Sequence, residues 1–218
     1  LRSADVVACE DTRHSKRLLD AYEIRPKTLL SYHQHNEARR SAELIARVEA
    51  GESVAVISDA GMPSISDPGL RIVQEAVLRG VTVEVIPGPS AVLAGLAGSG
   101  LDTSRFYFGG FLENKSGRRE REVLASLERA ETSVYYESPH RILKTLGAIV
   151  AHDSARPVCV ARELTKRFET FHRGSATEVL AELEGKDGAV KGEITLLIAG
   201  KPPEKRRPKN KYPKNEAE

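Results

Sequence analysis

From Val54 to Gly69 the chain reads VAVISDAGMPSISDPG, and the stretch after Ile57 carries two carboxylates, Asp59 and Asp67, with three serines and two prolines. A connection between elements needs only ~2–6 residues, so this one is longer and more polar than turning a chain requires. Gly61 lets the backbone come close to a ligand, and Pro63 and Pro68 stiffen the path. Asp67, just ahead of Pro68, is placed to cap the next helix. A capped connection accounts for Asp67, Pro68 and Gly69 but leaves Ser58-Asp59-Ala60-Gly61 unexplained. Those four residues read as ligand contacts.

Other strand ends are similarly endowed. In PGPSAVLAGLAGSG, from Pro87, Ser90 and Ala91 open a helix of small residues. Free N–H groups and slim side chains there leave room for a ligand edge, although close helix packing explains the same composition. VYYESPHR ends a strand at Glu137 and starts a helix at Ser138-Pro139, with Arg141 in its first turn. A cation there opposes the helix macrodipole by ~0.3–1 kcal/mol. A phosphate would offset that misfit, and a solvated arginine is the plainer alternative. VARELTKRFETF crowds Arg162, Glu163, Lys166 and Arg167 at another strand end, a pattern usual on solvated faces. At the start, ACEDTRHSKRLL sets Glu10, Asp11 and Arg13 at a strand end, with Thr12 or Ser15 as the helix cap. His33 and His35 alternate in SYHQHNE, but no carboxylate or cysteine completes a ligand set, so no metal site is expected. His35 or Asn36 reads instead as a cap or hydrogen-bonding group. No G-x-G-x-x-G and no G-x-x-x-x-G-K-[ST] occurs, which weakens the usual dinucleotide and NTP readings.

The elements that must position these residues alternate almost to the end. Strand-like runs are Asp5–Cys9, Thr28–Tyr32, Ser53–Ile57, Val81–Ile86, Phe106–Phe108, Ser133–Tyr136, Val158–Ala161 and Glu193–Ala199. Amphipathic segments lie between them: Asn36–Ala50 with Leu44, Ile45 and Val48 on one face, a segment after Pro68 closed by Gly80, and another after Ser138-Pro139. This alternation predicts an α/β chain of two domains with mostly parallel sheets and a ligand cleft between them. GSGLDTSR marks the division, giving residues 1–104, 105–200 and a disordered basic tail over 201–218; one continuous sheet is the alternative.

Composition sets the outer limits. Forty per cent hydrophobic residues can bury a proper core, and no apolar run approaches the ~20 residues of a membrane span. With no signal peptide, and Cys9 and Cys159 each in an apolar run without metal-ligand spacing, the chain reads as a cytoplasmic protein with reduced core thiols. The net charge of +2 hides an asymmetry: residues 201–218 hold seven Lys/Arg against three Asp/Glu, leaving 26 against 28 elsewhere. Nucleic acid would therefore be met through local patches or the tail.

Taken together, ACEDTRHS, HNE, SDAGMPSISDPG, PGPSAV, GGFL, YESPHR and ARELTKRFET, in that order over residues 4–200, resemble the tetrapyrrole methylase family of S-adenosylmethionine-dependent methyltransferases. Within it they are most similar to the branch that methylates the ribose 2′-hydroxyl of a cytidine in small-subunit ribosomal RNA. The resemblance implies a homodimer that acts on the small ribosomal subunit and holds S-adenosylmethionine between its two α/β domains. Donor contacts then fall on Asp59, Ala60, Gly61, Met62, Ile65, Ser90, Ala91, Tyr136, Glu137, Glu163 and Leu164. Glu10, Asp11 and His35 are the candidates for a general base. RNA contacts are expected from Arg13, Lys16, Arg17, Lys115, Arg118, Arg119, Arg121, Arg141, Lys166 and Arg167. The family also opens with a strand and a proline-glycine-asparagine loop that nothing here matches, so a further piece is expected ahead of Leu1. The competing readings are a small-molecule tetrapyrrole C-methylase and a non-catalytic ribosome-binding protein on the same fold.

Overall fold

The structure is a computed structural model that describes residues 1–185 and 190–202; the expected basic tail lies outside the described residues from position 203 onward. Two sheets organise the chain. The first is three-stranded, built from β1 (Val6–Cys9), β2 (Thr28–Ser31) and β3 (Val54–Ile57) in the order β2-β1-β3, with both pairings parallel. The run Val-Val-Ala-Cys is wholly buried because the central strand of a parallel sheet is covered on both faces. Leu44 and Ile45 of α2 (Glu37–Glu49) and Ile72 and Ala76 of α3 (Leu70–Leu78) join Val6 and Ala8 in one core. The other helix of this half, α1 (Thr12–Ala21), follows β1.

After α4 (Ala91–Ser99) comes the second sheet, made of β4 (Phe106–Phe111), β5 (Thr132–Glu137), β6 (Pro157–Arg162), β7 (Thr170–Ser175) and β8 (Ile194–Ile198). Its order is β4-β5-β8-β6-β7. Strict alternation divides its two faces. Tyr135, Val158, Val160, Ile194, Leu196 and Ile198 pack under α5 (Ser116–Glu128), α6 (Ile142–His152) and α7 (Ala176–Glu184). Val134, Cys159, Ala161 and Leu197 point the other way, onto Val92 and Leu96 of α4. Thus α4, which precedes the expected division at residue 104, lies on the second sheet. Cys9 and Cys159 are free and buried in the two halves.

The α/β class and the placement of most strands agree with the sequence reading; the sheet character differs in part. The first sheet is wholly parallel, whereas the second is mixed, with only β4–β5 parallel and β8 antiparallel to both β5 and β6. Alternation of strands and helices predicts parallel pairing only where each strand is followed by a helix. Here β6 runs into β7 without one, and the two pair antiparallel. Val81–Ile86 forms no strand, and Val83, Val85 and Ile86 are 41%, 67% and 71% exposed. An extended apolar run becomes a strand only beside a ladder partner, and β3 pairs with β1 alone. β7, with His and Arg breaking its apolar run, is not evident from periodicity.

Candidate functional site

The loop after β3 is fixed by its neighbours. Gly61 has φ +79°, in the left-handed region, and a Cβ there would lie 3.7 Å from Pro89 O. Met62 Sδ packs on Gly88, 3.1 Å from where its Cβ would sit, and Gly110 at the end of β4 comes within 3.7 Å of Ser66 Oγ by the same measure. Ser90 caps α4 through Leu93 N at 3.4 Å, with Ala91 half-buried behind it. Further along α4 the small residues serve packing: a Cβ on Gly98 would meet the Phe171 ring at 2.5 Å. Both explanations of that glycine-rich helix therefore apply, to different ends of it. Leu164, from the loop after β6, reaches α4 with its Cδ1 3.7 Å from a Cβ built on Gly95, and shares an apolar cluster with Tyr136.

The loops after β3 and β6 both hold strained backbone. Of five non-glycine residues with positive φ among the described residues, four lie in them: Ser64 and Ser66, Glu163 and Thr165. Such conformations cost about 1–3 kcal/mol each and persist where the surroundings impose them, commonly at functional sites. Around Thr165 the restraint is visible. Its N–H donates to Glu169 Oε2 at 2.6 Å, and Lys166 bridges Glu163 at 2.9 Å and Glu193 at 3.0 Å. The main-chain N–H of Glu193, followed by Lys166, holds the Glu163 carboxyl below its ordinary range.

Asp67 does not cap α3. Glu37 does so from α2, its Oε1 accepting from Gly69 N at 3.1 Å and Arg71 N at 3.3 Å. Asp67 is left half-buried, and its carboxyl is pushed up to about 6 by burial, then by the like charges of Glu10, Asp59 and Glu193. These carboxylates come from the ends of β1 and β3, the approach to α3 and the approach to β8, so both halves contribute. Burial, followed by Asp67 and Glu193, also raises the phenol of Tyr136. Asp59 Oδ1 is buried with no hydrogen-bond partner, while Oδ2 faces His14 Nδ1 at 3.6 Å. An orphaned carboxylate oxygen among other acids suits a ligand that brings hydroxyl or amine donors and positive charge.

The other expected site residues fall in three groups. Ala60 and Ile65 lie exposed on the loop after β3. Glu137 is buried and fully engaged: its oxygens accept from Ser138 N at 2.7 Å and Thr145 Oγ1 at 2.6 Å and pair with Arg141 at 2.5 Å. That carboxylate is not free for a ligand. Arg141 is not in a first helical turn, because α6 starts at Ile142; it is the N-cap, and its guanidinium donates to Leu112 O, Glu113 O and Asn114 Oδ1. Among the base candidates, Glu10 faces Asp67. Asp11 rather than Thr12 or Ser15 caps α1, and Arg13 holds its carboxyl well below the usual range. His35 is exposed beside His33, ring centroids 5.9 Å apart. Asn36 accepts from His33 N and donates to Ser31 O, fastening the turn after β2.

Of the expected RNA cations, Lys16, Arg17, Lys115 and Arg167 are exposed, Arg13 is paired with Asp11, and Lys166 is held as described. Arg118 and Arg121 line a surface hollow of about 280 Å³ with Glu113 and Glu122 at the start of α5. Arg119 is only 8% exposed and donates to Asn114 O, so it is a packing residue. No group of three His, Cys, Asp or Glu among the described residues is arranged to hold a metal, and none of their helices is long and apolar enough to cross a membrane. Sequence reasoning missed the roles of Glu37, Asp67 and Glu193. Nothing local reveals that Glu37 caps a helix 32 residues away, which is what releases Asp67.

Comparison with known proteins agrees with this architecture. The sequence profile described as tetrapyrrole (corrin/porphyrin) methylases matches residues 1–180. A protein of Mesorhizobium japonicum named ribosomal RNA small subunit methyltransferase I is 46% identical over 199 residues, 91% of this chain and 67% of that protein. One of the same name from Thermotoga maritima is 41% identical, over 92% of this chain and 89% of the other. Among solved structures, diphthine synthase superposes with a TM-score of 0.63 at 16% identity, covering 91% of this chain and 80% of that one. Uroporphyrin-III-C-methyltransferase from Thermus thermophilus gives 0.56 at 21%, covering 91% and 84%; these two likenesses are of fold.

Proposed function

The chain belongs to the tetrapyrrole methylase family, and on that footing we propose that it is a methyltransferase for the ribose 2′-hydroxyl of a cytidine in small-subunit ribosomal RNA, with S-adenosylmethionine as methyl donor. The observation that carries the substrate is the name shared by relatives 46% and 41% identical over more than nine-tenths of the chain. The tetrapyrrole alternative has the broad family profile and likenesses of fold at 16–21% identity behind it, against 46% and 41% for the ribosomal RNA relatives.

The residues present fit the donor. The donor would be held by Asp59 with its orphaned oxygen, by Gly61 and Met62 packed on the Pro87–Pro89 turn, by Ser90 and Ala91, and by Tyr136, the main chain of Glu137, Glu163 and Leu164; Tyr136 and Leu164 already share one apolar cluster. Bound there, S-adenosylmethionine supplies a methyl group already activated by its sulfonium. The acids Glu10, Asp59 and Asp67, with Glu193 partly offset by Lys166, would favour a cation beside them. Asp67 is the candidate to take the hydroxyl proton: it is spared from capping α3, and burial with neighbouring acids pushes its carboxyl up to about 6, in the range that suits a general base. Alignment of the hydroxyl with the methyl is the larger contribution, of ~7–11 kcal/mol when geometry approaches attack. The protein would work as a cytoplasmic homodimer, and the apolar side chains of Val77, Leu78, Val85 and Ile86, each exposed in the single chain, support association.

The test is transfer of labelled methyl to small ribosomal subunits, followed by mapping of the modified nucleotide. Label on one cytidine ribose is the expected result. Label on a base, or on an added porphyrinogen in place of RNA, would replace this reading.

A further inference from the structure

We infer that Phe168 is a stacking platform for an unpaired base of the substrate RNA, with Arg167 beside it for the adjoining phosphate. The inference rests on the proposal that the substrate is ribosomal RNA. Of the chain's five phenylalanines Phe168 is the most exposed, at 64%, ahead of Phe111 at 62% and Phe106 at 41%, and of these three only Phe168 has a guanidinium over its ring. It is not a loose side chain on a mobile turn. Behind it, Arg162 donates to Phe168 O at 3.4 Å, to Thr170 Oγ1 at 3.1 Å and to Lys191 O at 3.0 Å. Ahead of it, the positive-φ residues Glu163 and Thr165 are pinned by Glu169, Lys166 and Glu193.

A strained and heavily fastened loop that ends by presenting a bare ring to water gains nothing for the fold. The same fastening would serve to hold the ring still for something outside. That loop also packs on α4 through Leu164 and holds Glu193 through Lys166, and Glu193 is within electrostatic reach of Asp67 and Tyr136, so the platform lies near the proposed donor site.

The chemistry around the ring selects the occupant. The Arg167 guanidinium lies 5.5 Å from the ring centroid, and a cation beside an exposed aromatic matches the two parts of a single-stranded nucleotide, base and phosphate. An enzyme that must reach a ribose hydroxyl has use for such a platform, because it keeps the target nucleotide or its neighbour out of the RNA stack.

The experiment combines methyl-transfer kinetics with fluorescence, using small ribosomal subunits as the probe. Phe168→Ala is expected to raise KM for the subunits about 5- to 150-fold, the ~1–3 kcal/mol of one base stacked on one ring. Donor affinity measured by calorimetry should stay within twofold. Phe168→Trp should keep a near-normal KM, and its single tryptophan should be quenched as subunits are added. Phe106→Ala, at the opposite end of β4 from the cleft, is the control and should change neither value. An unchanged KM in Phe168→Ala, an unquenched Phe168→Trp, or a change of oligomeric state in Phe168→Ala would each overturn the platform. If the wild type binds donor yet methylates no subunit, the RNA reading fails first and the platform falls with it.

Discussion

Asp67 is a carboxylate for which the fold has no use. Its raised pKa means that the folded chain binds its proton more tightly than the unfolded chain does. Ionisation therefore costs stability: the penalty is absent below the ordinary value of 3.8 and complete above about 6. Asp67→Asn should raise the melting temperature at pH 8 and leave it unchanged at pH 3, while methyl transfer falls by ~10²–10⁴-fold. In the wild type, transfer should be lost on acidification through about pH 6, and the variant's residual rate should show no such limb. Glu137 is the opposite case. Its side chain is 0% exposed and completely partnered. Removing one member of a buried ion pair strands the other, so Glu137→Ala should cost ~3–5 kcal/mol in urea unfolding. A loss of donor affinity without loss of stability would instead make Glu137 a ligand. In sequence, Asp67 and Glu137 look alike, each an acid next to a proline-led helix start. What separates them is which distant groups already occupy their oxygens, and local pattern does not contain that.

At the scale of elements, most strands are readable, the edge strands β2, β3 and β4 among them, and the failures are Val81–Ile86 and β7. β1, β5, β6 and β8 announce themselves as apolar runs because each has strands on both sides. Val81–Ile86 has the same composition and no neighbour, and β7 has a neighbour but a mixed composition. Pairing, rather than propensity, decides both. The cap of α3 is likewise supplied from elsewhere in the chain. Glu37→Ala should destabilise the protein by ~0.5–2 kcal/mol, the usual worth of a side-chain cap, and Glu37→Gln by less, since an amide oxygen still accepts. If the cap matters, hydrogen exchange at Gly69 and Arg71 should speed up in Glu37→Ala; unchanged protection would show that α3 holds its own N-terminus.

Over the whole molecule, carboxylates from the two sheets come within electrostatic reach of one another, with Lys166 and His14 among them. The order of motifs makes this gathering legible in the sequence, because chemistry-bearing loops follow successive strands and the ends of parallel strands gather on one side. The exterior is less legible, since a run of arginines does not disclose which of them is buried. Arg119 lies inside, whereas Arg118 and Arg121 face out. Neutralising Arg118 and Arg121 together should weaken RNA binding and lower the slope of log K against log salt by ~0.7–0.9 for each phosphate left without its cation, whereas Arg119→Gln should act through stability.

The most direct test of a donor site built between the two sheets is calorimetry of S-adenosylmethionine with the wild type and with Asp59→Ala. The account predicts one donor bound per chain, with affinity at least tenfold weaker once the orphaned carboxylate is gone and the melting temperature little changed. No heat from the folded wild type, or equal affinity in the variant, would contradict it.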